Sequence, residues 1–319
     1  MIMMKISVII PIYNVERYIE KCLNSFLHQG LDDIELICVD DGSTDASGEI
    51  VDDYARRYSN IVVVHQKNQG VAAARNKGIS LAVGDYIAWC DPDDYVDIDW
   101  KKEIIKAINY DPDCIVIRLM KCKGNKKKAQ KQYEKGWLNK SDYIYELSRD
   151  RYIKSYLCTH IIKRRILLKH HFDSKIKYYE DYDFFTRFCV DVEKIYFVDK
   201  ILYYYIFRVN SLTNKLKPIK YILQSMRIAS ARYAGLKKIG YRVSKEGCFK
   251  TYILSYGELT LYKRKYGLDK IILGKLCKNF SNIMTDTDVS LKTKIANLMI
   301  LLMPYFILKC CWEWIKRNG

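Results

Sequence analysis

The amino-acid sequence predicts an α/β fold in which a mostly parallel sheet is flanked by helices and followed by a helical C-terminal region. Within the first hundred residues, short β-branched apolar runs alternate with segments of helical periodicity, and each apolar run ends in a polar loop. Nearly continuous apolar runs are typical of strands buried on both faces, and their alternation with helices is typical of βαβ units.

The elements follow in order along the chain. "KISVII" and "IELICVD" are the first two predicted strands, and "IVVVHQ", "GVAAARNKGISLA" and "DYIAWC" continue as strand, helix and strand. The predicted helix between the first two strands has an N-cap at Asn14 and apolar residues at helical spacing: Val15, Tyr18, Ile19, Cys22, Leu23 and Phe26.

Length and composition set limits on the class of protein. The 319 residues suffice for one sizeable core with a smaller appended region, or for two modest domains, and 54 Lys+Arg against 37 Asp+Glu give a net charge of +17. This charge favours acidic partners such as nucleic acid, phosphorylated small molecules or an anionic membrane, although a well-solvated surface explains it equally well. The 11 cysteines are odd in number and show no CxxC pair, so we expect neither a disulfide framework nor a zinc site, and a reducing cytoplasm fits best. The apolar opening lacks a basic leader, so we expect a buried strand rather than a signal peptide.

Polar loops follow four of the predicted strands. They read "PIYN", "DDGSTD", "NQG" and "DPDD", at residues 11–14, 40–45, 68–70 and 91–94. Taken singly, such residues are ordinary turn and N-cap residues. Because ligands bind at the carboxyl ends of parallel strands, four loops at one rim predict a binding site.

The stretches "SVIIPIYNVERYIEKCLNSFLHQ", "IELICVDDGSTDASGEI", "NQGVAAARNKGI" and "GDYIAWCDPDDY" together resemble the nucleotide-sugar-binding half of family 2 glycosyltransferases. The resemblance implies the GT-A fold, with a Rossmann-like sheet. It implies a catalytic domain over residues 1–214, with a donor-binding half at 1–100 and an acceptor and catalytic half at 101–214. A helical region would follow at 215–319.

Three carboxylates follow the fourth strand, at Asp91, Asp93 and Asp94. Such oxygen ligands suit Mn²⁺ or Mg²⁺, which would neutralise the diphosphate of a departing nucleotide. The resemblance makes Asp93 the direct metal ligand, with Asp91 near the ribose or a metal-bound water and Asp94 supporting them from behind. The alternative is a solvated acidic loop in which Asp91 caps the turn. Pro92 departs from the family pattern, which has a small polar residue there.

The resemblance also assigns the donor-binding residues. Asp41 would accept a hydrogen bond from the uracil N–H, which a carboxylate can do because it only accepts. Arg208 and Ser211, in "RVNSLTN", would close over the diphosphate. Pro11 and Tyr13 would line the base pocket. Asn68 and Gly70 would shape the loop before the third helix, and Arg75 and Asn76 on that helix would reach the base or the diphosphate.

A second acidic motif lies downstream, in "FDSKIKYYEDYDFFTRF". Acidic residues are favoured in the first turn of any helix, which is the structural alternative. The stretch resembles the family's "ED" motif, which makes Asp181 the general base for the acceptor hydroxyl. Glu180 would raise the proton affinity of Asp181 or orient the acceptor. One direct displacement at the anomeric carbon would invert its configuration.

Two further segments bear on partners. The basic stretch from Lys121 to Gly136 is expected to be a solvated loop, and nucleic acid is not an expected partner. The apolar segment from Ile295 to Arg317 is interrupted by Pro304, Lys309 and Glu313, which favours a helix lying in the plane of the cytoplasmic leaflet over a spanning one. The alternative is an amphipathic helix packed on the catalytic domain.

The resulting hypothesis is an inverting, metal-dependent glycosyltransferase. It would use a nucleotide-sugar, preferably a UDP-sugar, and a lipid-linked glycan acceptor in capsule, O-antigen or exopolysaccharide synthesis, on the cytoplasmic side of the membrane. A sugar-nucleotide nucleotidyltransferase would carry a glycine-rich loop near its N-terminus, which "SVIIPIYN" lacks. A nonenzymatic basic adaptor at a membrane surface would explain the charge but not the four polar loops. The sequence predicts neither the sugar nor the oligomeric state.

Overall fold

A computed structural model of the chain describes residues 6–133, 135–208, 217–260, 274 and 280–302. The chain divides into two compact units. One lies within residues 1–143 and 152–207, and the other within residues 144–151 and 208–319.

The first unit contains one mixed, mostly parallel sheet. Its strand order is β3-β2-β1-β4-β9-β6-β10-β5, with β7 beside β6 and β8 beside β10. Neighbours β3, β2, β1 and β4 are parallel, as are β6 and β10, whereas β9, β5, β7 and β8 pair antiparallel. The strands are β1 Ile6–Ile12, β2 Ile34–Asp40, β3 Ile61–His65, β4 Tyr86–Trp89, β5 Tyr95–Val96, β6 Cys114–Lys123, β7 Lys126–Ala129, β8 Gly136–Leu138, β9 His160–Lys163 and β10 Ile195–Ile206.

Helices in the first hundred residues connect the parallel strands, as the alternating pattern predicts. Their bounds are α1 Ile19–Leu27, α2 Ser47–Arg57 and α3 Val71–Leu81, and α4 Trp100–Ile108 follows β5. Further along lie α5 Lys140–Arg149, a 3-10 turn Leu157–Thr159, α6 Arg164–Leu167, α7 Glu180–Phe188 and a second 3-10 turn Cys189–Asp191. Helix α1 begins at Ile19, so the N-cap predicted at Asn14 is wrong. Asn14 has a left-handed φ of 51° and belongs to the loop before the helix.

The small-residue helix α3 packs closely on the central strand. A Cβ at Gly78 would lie 2.4 Å from Ile9 Cγ2, a distance that real Cβ atoms do not adopt. Only glycine therefore permits this approach. The approach also sets the position of Arg75 and Asn76, which lie on the same helix.

The second unit is helical over the residues that the structure describes, which confirms the predicted helical C-terminal region. It contains α8 Ile219–Lys238, α9 Glu246–Thr260, α10 Phe280–Thr285 and α11 Leu291–Leu302. These helices share a core that includes Ile222, Met226, Phe249 and Ile283. Among the described residues, the helices are too short or too polar for any of them to cross a bilayer. The rest of the apolar segment predicted to lie on a membrane, residues 303–319, falls outside the described residues.

Candidate active site

The first two polar loops are joined by hydrogen bonds between side chains and backbone. Asn14 Oδ1 accepts from Thr44 N at 2.8 Å, and Asn14 N donates to Ser43 Oγ at 3.1 Å. Val15 N donates to Ser47 Oγ at 2.8 Å. The "PIYN" and "DDGSTD" loops are therefore linked to each other by hydrogen bonds and are not independent turns.

The two adjacent aspartates at the end of β2 have different partners. Asp40 accepts from Ser43 N at 3.0 Å and is bonded to His65 Nδ1 at 2.9 Å, so it shapes its own loop. Asp41 is 3% exposed and faces the third loop instead: it accepts from Gln66 Nε2 at 2.7 Å, Gln69 N at 2.8 Å and Gly70 N at 2.7 Å. A carboxylate has about four lone-pair sites, so Asp41 retains capacity for one more donor.

The loop between these aspartates and α2 requires glycine at position 42. Gly42 has φ of +74°, and a Cβ there would lie 3.0 Å from Asn68 N and 3.2 Å from Gln66 O. The "DDGSTD" and "NQG" loops thus touch backbone to backbone. Asn68 is exposed at this contact.

The remaining residues assigned to the base pocket lie at the end of β1. Pro11 is buried within the strand, opposite Val39 of β2. Tyr13 follows the strand and is 49% exposed, so its ring is available to a ligand. Both positions are compatible with the predicted pocket, and their roles stay predictions.

The acidic loop after β4 is held from behind by β10. The Tyr203 hydroxyl donates to Asp94 Oδ2 at 2.7 Å and accepts from Asp91 N at 3.0 Å. Ile206 N donates to Asp94 Oδ1 at 2.7 Å. Asp94 is 1% exposed, whereas Asp91 and Asp93 are half-buried.

Burial, followed by repulsion from Asp91 and Asp93, raises the pKa of Asp94 to about 9. Both Asp94 oxygens already accept hydrogen bonds, which leaves this carboxyl poorly placed to ligate a cation. Its bonds to Tyr203 and Ile206 agree with a supporting rather than a ligating position. Asp91 and Asp93 are the carboxylates left for a metal.

Arg75 joins the acidic loop to the downstream "ED" motif. Its guanidinium donates to Glu180 Oε1 at 2.7 Å and to Asp91 Oδ1 at 3.4 Å. The side chain is 9% exposed and lies over the Phe172 ring, with 5.6 Å between Cζ and the ring centroid. Burial alone would lower the pKa of Arg75, but attraction to Glu180, Asp91 and Asp181 outweighs it and raises that pKa.

The predicted base lies at the start of α7. Asp181 Oδ1 accepts from Tyr182 N at 2.7 Å. Removal of the carboxyl from water, followed by repulsion from Glu180, raises the pKa of Asp181 to about 7, although Arg75 opposes the shift. Tyr179, the residue before the helix, has a left-handed φ of 66°, an uncommon conformation for a bulky side chain that is found at functional sites.

The Asn76 side chain bonds to the protein backbone, a contact that the sequence does not predict. Its Nδ2 donates to Phe172 O at 2.9 Å, and its Oδ1 accepts from Phe172 N at 2.8 Å. The side chain thereby holds the backbone of the segment that leads to the "ED" motif. A contact between Asn76 and base or diphosphate stays a prediction.

Two predicted residues lie beyond β10. Arg208 lies two residues beyond the end of the strand and belongs to the second unit, and Ser211 falls outside the described residues. Their predicted closure over the diphosphate therefore stays a prediction.

Three residues that sequence reasoning missed help to shape the site. These are Tyr203, Gln66 and Phe172, which support Asp91, Asp41 and Arg75 respectively. Tyr203 sits in a run of three tyrosines that strand packing explains well, so the sequence carries no signal for its hydroxyl. The position of Phe172 eight residues before Glu180 likewise gives no hint of a ring beneath Arg75.

The carboxylates of the acidic loop fit a hard divalent ion that is also bound by substrate phosphates and water. Within the described ranges, no group of three or more His, Cys, Asp or Glu side chains could enclose a metal. Asp91 and Asp93 offer only carboxylate oxygens, and Mg²⁺ is typically bound by one or two carboxylates together with substrate phosphates and water. The residues therefore suit an ion that arrives with a phosphorylated ligand rather than one held by protein alone.

Comparison with known families matches the chain to one family model. The model described as "Glycosyl transferase family 2" matches residues 7–172. That range contains all four strand-end loops but ends before the "ED" motif.

Comparison with curated proteins finds the uncharacterized glycosyltransferase EpsJ of Bacillus subtilis, 33% identical over 219 residues, which cover 65% of this chain and 62% of EpsJ. The cholesterol galactosyltransferase of Borreliella burgdorferi is 27% identical over 327 residues, covering 99% of this chain and 88% of the relative. The poly(ribitol-phosphate) beta-glucosyltransferase of Bacillus spizizenii is 45% identical over 97 residues, covering 29% and 15%. The chain thus spans 62% of the length of EpsJ and smaller shares of several other relatives, including 32% of the putative glycosyltransferase EpsH of Bacillus subtilis.

Solved structures with the same fold include residues 1–349 of S. aureus TarS in complex with UDP. It has a TM-score of 0.62 and 20% identity, and the match covers 99% of this chain and 92% of that structure. The mannosyltransferase PcManGT from Pyrobaculum calidifontis, in complex with GDP-Man and Mn²⁺, has a TM-score of 0.53 and 14% identity, covering 98% and 85%. These matches confirm the predicted GT-A fold.

Tyr203→Phe tests whether β10 positions the acidic loop. Loss of the hydroxyl leaves Asp91 N and Asp94 Oδ2 without their buried partner, which should lower the free energy of unfolding by about 1–3 kcal/mol. The matched variant Tyr204→Phe removes a hydroxyl that donates to Asp97 at a half-buried site and should cost less than about 1 kcal/mol. Urea unfolding measures both, and equal losses would contradict this role of Tyr203.

Proposed function

Because the chain belongs to glycosyl transferase family 2, we propose that it transfers a sugar from a nucleotide-sugar, a UDP-sugar in particular, to an acceptor hydroxyl with inversion of configuration. The observation that carries the proposal is the Arg75 bridge, which joins Asp91 of the acidic loop to Glu180 beside the predicted base. It gathers donor-side and acceptor-side carboxylates into one site. The structures of TarS with UDP and with UDP-GlcNAc support uridine as the nucleotide.

The donor would lie at the carboxyl ends of β1 to β4. Asp41 supplies a buried acceptor for the uracil N–H, and Tyr13 supplies an exposed ring beside the buried Pro11. Asn68 and Arg75 border the diphosphate side. Residues 1–100 then form the donor half, and residues 101–214 form the acceptor and catalytic half. Asn76, Arg208 and Ser211 complete the proposed donor contacts.

A divalent ion, Mn²⁺ or Mg²⁺, would be held by Asp93 and Asp91. When bound, it would offset the negative charge of the leaving diphosphate. The Mn²⁺ in the structure of PcManGT supports this assignment. Asp94, buried and bonded to Tyr203 and Ile206, keeps the loop in place.

Proton removal falls to Asp181. Its pKa of about 7 places its proton affinity where a general base works best near neutral pH. Glu180 is fixed by Arg75 and keeps that pKa high by repulsion, so a hydroxyl held beside Asp181 would lose its proton as the oxygen attacks the anomeric carbon. Direct attack opposite the leaving group converts an α-linked donor into a β-linked product.

The acceptor is proposed to be a growing bacterial polysaccharide, carried on a lipid at the cytoplasmic face of the membrane, as in capsule, O-antigen or exopolysaccharide synthesis. The names of several relatives point to surface glycans, among them the minor teichoic acid biosynthesis protein GgaB of Bacillus subtilis. Membership in a glycosyltransferase family leaves no support for a nucleotidyltransferase or for a nonenzymatic adaptor.

Helix α11 provides a surface for the proposed membrane contact. Its exposed apolar side chains recur on one face of the helix, whereas Thr293, Asn297 and Ile300 are buried on the other. An apolar stripe of this kind suits a helix that lies in the plane of the bilayer surface. The stripe consists of Leu291, Ile295, Met299 and Leu302.

Asp181→Asn tests the assignment of the base. In a panel of UDP-sugars with Mn²⁺ or Mg²⁺, transfer by the variant should fall by about 10²- to 10⁴-fold while UDP binding is retained, because only proton removal is lost. Asp183→Asn, on the same helix and paired with Arg187, is the control and should stay near wild type. Normal transfer by Asp181→Asn, or an α-linked product from an α-linked donor by NMR, would refute the mechanism.

The pH dependence of transfer tests the raised pKa of Asp181. Activity should rise with pH and level off above a midpoint near 7, because the base must be unprotonated. Burial of Asp181 remains in Glu180→Gln, but the repulsion that adds to its raised pKa is lost, so the midpoint should move to lower pH. Rates at saturating donor across pH 5 to 9 measure both profiles, and an upward shift would be inconsistent with this account.

Vesicle flotation tests the α11 stripe. The full chain should float with phosphatidylglycerol vesicles, and the double substitution Ile295→Ser with Met299→Ser should abolish this by removing the apolar contact. The control pair Ile239→Ser with Leu254→Ser changes two other exposed apolar residues and should have no effect. Equal flotation of both variants and wild type would refute the contact.

A further inference from the structure

The hairpin formed by β6 and β7 carries an unusual concentration of positive charge. In its register Lys121 lies opposite Lys128, and Lys123 lies opposite Lys126. Because alternate residues of a strand share a face, all four lysines project from the same face, and Lys127 projects from the other. Like charges directly opposite each other destabilise a strand pair, so this arrangement favours an anion between them.

Carboxylates do not offset this charge. Within the described residues, none of the four lysines forms an ion pair with a carboxylate. The two lysines of β6 lie beside aromatic rings: Lys121 lies 5.1 Å from the Tyr156 ring centroid and Lys123 lies 4.6 Å from that of Phe207. The surface therefore combines ammonium groups with aromatic rings.

Protection of a sheet edge does not explain these lysines. Exposed lysines on an edge strand discourage pairing with other chains, which accounts for those on β7. Lys121, however, lies on β6, which is paired with β7 on one side and with Tyr205 of β10 on the other. The two lysines contributed by β6 need another explanation.

The lysine face lies next to the candidate active site along β10. Tyr203 and Tyr205 alternate at the end of β10 and so share a face, and Phe207, which directly follows the strand, continues the alternation. The first contacts Asp91 and Asp94, and the other two lie under Lys121 and Lys123. An acceptor reaching the site from this side would pass over the lysines.

We propose that this face of the hairpin binds phosphate groups of the acceptor, which is therefore a glycan or polyol chain with phosphodiester links. The inference rests on the proposed glycosyl transfer and specifies its acceptor class. Lysines two residues apart in a strand are separated by about 7 Å, and opposite lysines by about 5 Å, so successive phosphates of one chain can each meet an ammonium group. The adjoining rings of Tyr156 and Tyr205 offer apolar faces to sugar or polyol carbons.

A bilayer fits this face less well. The hairpin tip consists of Gly124 and Asn125, which offer no apolar side chain for insertion. The lysine pairs instead offer positive charge that is complementary to an extended polyanion.

The test measures binding of a fluorescein-labelled oligo(ribitol phosphate) to the full chain by anisotropy. The double substitution Lys126→Gln with Lys128→Gln should weaken binding about tenfold and reduce its salt dependence. Lys102→Gln with Lys106→Gln, on helix α4, removes the same amount of charge elsewhere and should bind like wild type, as should Lys127→Gln on the opposite face of the hairpin. Thermal unfolding confirms that all variants are folded.

Acceptor-free hydrolysis of a UDP-sugar separates this inference from the proposed function. If wild type and the double variant hydrolyse donor equally but bind the oligomer equally too, the inference fails and the proposed function stands. If wild type hydrolyses no UDP-sugar and transfers none, the proposed function fails. Wild-type binding to phosphatidylglycerol vesicles but not to the oligomer, lost in the double variant, would overturn the inference in favour of a membrane-contacting hairpin.

Discussion

The candidate site depends on the ion pairs that the buried guanidinium of Arg75 forms with two carboxylates. The guanidinium lies between Asp91 and Glu180, with Asp181 close enough to raise its pKa. Without this cation, three carboxylates from two distant parts of the sequence would repel one another inside a poorly hydrated site. A buried charge is tolerated only when it is well paired, so Arg75 and the carboxylates depend on each other. Their placement requires α3 to lie tightly on β1, which Gly78 permits.

The loops around this ion pair are stiffened by bonds between side chains and backbone. Asn14, Ser47 and Asp41 each anchor the backbone of a neighbouring loop, so the three loops share their hydrogen bonds. Tyr203 does the same for the acidic loop from the opposite direction. A site whose parts are fixed in advance loses less conformational entropy when a ligand binds.

The sequence predicts the strand-end loops well because strand and helix periodicities are local patterns, visible within a few residues. Asp41, Asp91 and Arg75 are found at the sheet rim for that reason. The N-cap at Asn14 failed because its side chain is used by Thr44, thirty residues away, which no local pattern records. The sequence does not reveal the roles of Tyr203 and Phe172 for a similar reason. The Tyr203 hydroxyl bonds to Asp91 and the Phe172 ring lies beneath Arg75, and each of these partners is about a hundred positions away in the sequence. The side-chain partner of Asn76 was equally inaccessible.

The two bonds from α3 to the segment before α7 have a consequence for how such an enzyme could diversify. Asn76 fixes the backbone at Phe172, and Arg75 fixes Glu180, so both ends of residues 173–179 are attached to the same donor-side helix. On the proposed assignment of Asp181 as the base, substitutions between these anchors would alter the segment while leaving Glu180 and Asp181 in place beside Arg75. Selection for new acceptors can therefore act on a short exposed stretch without rebuilding the chemistry beside it.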